Sequence, residues 1–118
     1  FEKSETIFHW HGETFDIPKT GHHLAFSSLC TNQAFRYGAN VYGLQFHLEV
    51  DEPMIQRWLR VPDNRKEIAA LGSDVTPERI HHETPAYIAR LQQLSEGVFG
   101  AFIGLFGVEK KLRHLPSR

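Results

Sequence analysis

Val41-Tyr-Gly-Leu-Gln-Phe-His-Leu-Glu-Val50 is the stretch on which the reading of this chain turns. Its apolar, aromatic and β-branched residues, free of proline, predict a strand. Side chains two apart on a strand leave from the same face, so His47 and Glu49 project together from its end. A carboxylate placed there accepts the Nδ1 proton of the imidazole, fixes the tautomer and stabilises the imidazolium. Nε2 is then free to act as a base. By spacing alone His-x-Glu is a weak signal, because half-exposed strand pairs of this kind are common.

Upstream of this stretch the signals are also β. Glu5–Trp10 alternates, Leu24–Ser28 is a short run, and Ala34–Tyr37 precedes the Val41–Val50 strand. Gly12, Pro18 with Gly21, and Gly38 with Asn40 separate these runs, and Tyr37-Gly-Ala-Asn-Val41 is short enough to close a hairpin. Downstream the pattern turns helical. Asp51 is a helix cap with Pro53 in the first turn, and Met54, Ile55, Trp58 and Leu59 fall on one side. A charged segment, Asp63–Leu71, ends at Gly72 as a C-cap. Thr76-Pro77 and Thr84-Pro85 each read as an N-cap followed by proline, the second opening the longest helix. Tyr87, Leu91, Leu94, Val98, Phe102 and Leu105 give that helix a continuous apolar face. Gly97, Gly100, Gly104 and Gly107 beside it cost helix propensity, which predicts close packing against another surface. The expected fold is one α/β domain, residues 1–50 strand-rich and residues 51–118 helical.

The 118 residues carry 13 basic and 14 acidic side chains, a net charge of −1, with no run of like charge. That balance gathers neither nucleic acid nor an anionic membrane. The longest apolar stretch, Val98–Val108, falls well short of the ~20 residues a membrane helix needs. The single cysteine, Cys30, forms no internal disulfide and points to a reducing, cytoplasmic setting. Among eight histidines, His9 and His11 share a strand face, while His22-His23 and His81-His82 are adjacent pairs. None matches a helical zinc spacing, and no metal is expected.

Three motifs sharpen this reading. Gly43-Leu-Gln-Phe-His-Leu-Glu-Val50 resembles the G-x-Q-F-H-P-E motif of class I glutamine amidotransferases. Phe8-His-Trp-His-Gly-Glu-Thr-Phe-Asp-Ile-Pro18 and Ser27-Ser-Leu-Cys-Thr-Asn-Gln-Ala-Phe-Arg-Tyr-Gly38 are similar to that family too, in its order, and above all to stand-alone members like the glutaminase domain of GMP synthase. The resemblance implies a mixed β-sheet flanked by helices, of which this chain is the C-terminal portion. It implies that His47 and Glu49 are base and orienter of a Cys-His-Glu triad that hydrolyses the side-chain amide of glutamine to glutamate and ammonia. The turn Trp10-His11-Gly12-Glu13 would present backbone groups to the α-amino and carboxylate ends of glutamine, its alternative being a plain hairpin turn. No cofactor is needed.

The family's nucleophile sits on a Gly-rich strand-to-helix elbow. Cys30 has no flanking glycines and no evident feature that lowers a thiol pKa, so it reads as structural, with the nucleophile expected upstream. The absence of an initiating methionine at Phe1 fits a fragment, which alone is expected to be inactive. Expected partners are the N-terminal half of the same protein and a synthetase that receives ammonia. Leu48 stands where the family usually has proline, which leaves both triad side chains in phase. Two other functions use the same features: a γ-glutamyl hydrolase on this scaffold, and a non-catalytic binding or regulatory module.

Overall fold

The computed structural model describes residues 3–107. Three strands, β1 (His22–Ala25), β2 (Ala34–Tyr37) and β3 (Val41–Leu44), are followed by three helices, α1 (Glu52–Arg60), α2 (Pro62–Ala70) and α3 (Pro77–Gly104). The strands form one sheet in the order β1-β2-β3, and both pairings are antiparallel. This is an α/β arrangement.

The hairpin closes where the turn formers predict. Tyr37 pairs with Val41, and Gly38 supplies the positive φ of 60° that the tight connection requires. Opposite Phe35 in the register stands Gly43, and a Cβ at that position would overlap the Phe35 ring. The first glycine of the His47 motif is therefore a packing requirement.

Two strands are shorter than their sequence pattern suggests. Residues 5–10 contribute only a bridge, Phe8 to His47, in which the His47 N–H donates to the Phe8 carbonyl at 2.9 Å. The Val41–Val50 run leaves the ladder at Leu44, yet its two-residue phase continues: Phe46, Leu48 and Val50 are buried, while His47 and Glu49 face outward. β1 begins at His22, before the predicted Leu24, and a register irregularity follows His23. Phe26 is exposed.

Asp51 caps α1 as expected, its Oδ1 accepting the Met54 N–H at 2.7 Å. α2 ends at Ala70 with Leu71 as its C-cap, followed by Gly72 at φ 98°. The Thr84-Pro85 start is corrected. α3 begins at Pro77 behind the Thr76 cap and runs through Pro85. The Thr84 hydroxyl turns back to donate to the Ile80 carbonyl at 2.7 Å, so Thr84 acts within a helix and caps none.

The core joins Ala34, Phe46, Leu48, Val50, Ile55, Leu59, Ile68, Leu91 and Leu94. α1 packs against both α2 and α3. Only the middle of the α3 apolar face reaches this core. Tyr87, Phe102 and Leu105 are at least one-third exposed, and a Cβ on Gly97, Gly100 or Gly104 meets no atom within 4 Å. The close packing expected at those glycines is absent among the described residues. No described helix is long and apolar enough to cross a membrane.

Candidate active site

Two backbone constraints present His47. The segment leaving β3 keeps its alternation because Phe46 and Leu48 are drawn into the core, which turns His47 and Glu49 outward. The Phe8 bridge then holds the His47 main chain. Glu49 Oε1 lies 2.7 Å from His47 Nδ1, the distance of a charge-assisted hydrogen bond. The side chains are 26% and 52% exposed, so the pair is open to solvent on the carboxylate side. Desolvation pushes the Glu49 carboxyl up. The hydrogen bond from His47 and the backbone N–H groups of Glu49 and Leu48 outweigh it and hold the group below its ordinary value.

On the far side of the ring, His47 Nε2 lies 3.3 Å from the Trp10 carbonyl. Both partners of the imidazole are acceptors, and only the doubly protonated ring donates to both at once. The Trp10 indole is fixed elsewhere, its Nε1–H donating to Glu67 of α2 at 3.4 Å.

The rest of the Trp10-His11-Gly12-Glu13 turn does not reach the dyad. His11 Nδ1 bonds the Glu13 carbonyl at 2.8 Å, closing the turn on itself. Gly12 faces open space, and Glu13 forms no ion pair among the described residues. The His9 ring lies 6.1 Å from that of His11 and 6.3 Å from that of Phe46. Desolvation first, then the neighbouring His11 and His47, push its imidazole below the usual value. No group of three His, Cys, Asp or Glu among the described residues is arranged to hold a metal ion.

Cys30 is partly exposed, and its surroundings differ from the sequence expectation. Hydrogen bonding with Thr14, at 3.4 Å, outweighs desolvation and, with the Asn32 backbone and Gln45, holds the thiol below its ordinary value. The expectation of an unperturbed thiol missed these neighbours because they lie 15 and 16 residues away in sequence. Its contacts nonetheless run to Thr14, Asn32 and Gln45, and none of these is His47.

Sequence reasoning also passed over Gln45 and Trp58. Gln45 Nε2 donates to Thr14 Oγ1 at 2.9 Å and contacts the Asn32 carbonyl, tying the segment after the Gly12 turn to the strand that leads into His47. Trp58 was assigned only to the apolar side of α1, yet its ring stands beside the His47 imidazole. An apolar cleft of about 470 Å³ between the sheet and the end of α3 is lined by residues such as Ala34, Tyr42, Phe46 and Phe102, and by none of the candidate residues. With Tyr42 as its single titratable group, it offers no base for acyl transfer.

No protein-family model and no curated protein matches the chain.

Proposed function

We propose that this chain carries the base and its orienter for a class I glutamine amidotransferase. The observation that supports this most directly is the 2.7 Å bond from His47 Nδ1 to Glu49, with Nε2 on the opposite side of the ring. In this reading the domain in full is a mixed sheet flanked by helices, working in the cytoplasm. In this reading the nucleophile is a cysteine upstream of these residues, since Cys30 is held in its own polar cluster.

The chemistry proceeds in two halves. For catalysis His47 Nε2 gives up its 3.3 Å contact with the Trp10 carbonyl; the thiol then passes its proton to Nε2, and the thiolate attacks the carboxamide carbon of glutamine. As the tetrahedral intermediate collapses, the C–N bond breaks and the imidazolium returns that proton to the departing nitrogen, releasing ammonia. A γ-glutamyl thioester is left. His47 then deprotonates water, which attacks the thioester carbon. The C–S bond breaks, the proton returns to sulfur, and glutamate leaves. Glu49 stays ionised throughout and keeps Nδ1–H directed at itself, so that Nε2 faces the reaction. The liberated ammonia passes to a synthetase partner.

The test is a substrate panel with the intact protein. Ammonia release from glutamine is expected. Turnover of larger γ-glutamyl amides with none of glutamine would make it a γ-glutamyl hydrolase, and no turnover of either would leave a binding module of this fold.

A further inference from the structure

An imidazole on a half-exposed segment has two soft torsions. Glu49 at Nδ1 and the Trp10 carbonyl at Nε2 both restrain it in the plane of the ring. Neither stops it from tipping out of that plane. What stands beside the ring is aromatic: Trp58 at 5.4 Å between centroids, nearly perpendicular at 79°, and Phe8 at 6.2 Å. Edge-to-face contacts at this separation are favourable and directional.

Trp58 is itself held firmly. It belongs to α1, whose Ile55 and Leu59 are buried and whose first turn is capped by Asp51. Its carbonyl accepts the Asn64 Nδ2–H at 3.0 Å. Its indole packs against Trp10 at 5.7 Å and 83°, and against Phe8 at 6.0 Å. Trp10 in turn is anchored to Glu67 of α2. Two helices thus brace one wall of the imidazole through a pair of tryptophans.

We propose that Trp58 is a positioning residue for His47: its indole keeps the imidazole upright between Glu49 and the reacting atoms. The inference rests on the assignment of His47 as the base. A misplacement of about 1 Å at a reacting group costs on the order of 100-fold in rate. Trp58→Leu should therefore lower kcat for glutamine hydrolysis by about 10- to 100-fold with KM unchanged, and Trp58→Phe, which keeps an aromatic wall, should recover most of it.

The contact is also readable without turnover. The Trp58 emission is read as the difference between Trp10→Phe and Trp10→Phe/Trp58→Phe, which cancels any tryptophan outside these residues. An imidazolium against an indole quenches it. Emission should fall as the solution is acidified, and the fall should vanish in Trp10→Phe/His47→Asn. The other titratable groups nearby, Glu49, His9, His11 and Glu67, persist in that control, so the difference isolates His47. An equal fall without His47 would overturn the proposed contact. A folded Trp58→Leu enzyme with wild-type kcat would overturn the positioning role. Should Trp58→Leu fail to fold, Trp58→Phe and the fluorescence pair decide it, since neither needs that variant. Wild-type turnover in His47→Ala would instead sink the underlying assignment and leave the fluorescence result standing.

Discussion

Replacing Glu49 with glutamine removes a charge and keeps the shape. The amide places either an acceptor or a donor near His47 Nδ1, and it no longer enforces the tautomer that frees Nε2. A hydrogen bond to a charged group contributes about 1.5–3 kcal/mol. The Glu49 side chain is 52% exposed, and solvent screening puts this pair at the lower end of that range. If ~1.5–2 kcal/mol of transition-state stabilisation is lost, kcat falls about 10- to 30-fold. Folding should hardly respond, because exposed ion pairs are worth no more than about 1 kcal/mol. The assay is steady-state ammonia release from glutamine by the intact enzyme, with kcat and KM separated and the folded fraction followed by circular dichroism. A kcat within about twofold of wild type, or a loss matched by unfolding, would refute the orienting role.

The same carboxylate predicts a pH effect on stability. Its folded pKa lies below the ordinary 4.5, so its stabilisation is present above that value and is lost as pH falls through the folded pKa. The stability difference between wild type and Glu49→Gln, from urea titrations, should be flat above pH 4.5 and shrink below it; an increase on acidification would contradict this. Leu48→Ala empties a site only 2% exposed and should cost about 2–4 kcal/mol in urea unfolding, whereas a cost under 1 kcal/mol would mean that the alternation presenting His47 is not anchored there. Gly43→Ala forces a methyl into the Phe35 ring and should destabilise by about 1–3 kcal/mol; an unchanged Tm would mean that the ring is free to move. Arg90 binds Glu5 through Nη2 at 2.5 Å and Nε at 3.2 Å, so Arg90→Met should speed hydrogen exchange at the His47 amide, which bonds Phe8; equal protection would uncouple that ion pair from the site.

Much of this was legible in the residues, for identifiable reasons. Period-two patterning survived the end of strand pairing at Leu44, because the burial of Phe46, Leu48 and Val50 depends on the pleat and not on the ladder. That is why His47 and Glu49 meet as their spacing predicts. Capping was read correctly at Asp51 and Thr76, where a side-chain oxygen satisfies a free N–H in each case. Thr84-Pro85 carried the same local signal and misled, because a helix already under way supplied the Ile80 carbonyl to the Thr84 hydroxyl. Local sequence does not reveal which partner a threonine will find.

Other features depended on distance along the chain. Trp58 meets His47 only because α1 folds back across the segment that leads into it, and the thiol of Cys30 is tuned by Thr14 and Gln45 from separate loops. The glycines of α3 show the opposite failure. Their spacing predicts close packing, yet open space surrounds Gly97, Gly100 and Gly104 among the described residues. The proposed active site therefore combines a pair readable from eight residues with a surrounding wall that only the fold reveals.

The central claim is that His47 is the base of a glutaminase. Its most direct test is ammonia release from glutamine by the intact protein carrying His47→Ala, beside a circular dichroism spectrum of the same sample. No measurable turnover with a native spectrum is the predicted result, since His47 stands outside the buried apolar core. Wild-type turnover in that variant would contradict it.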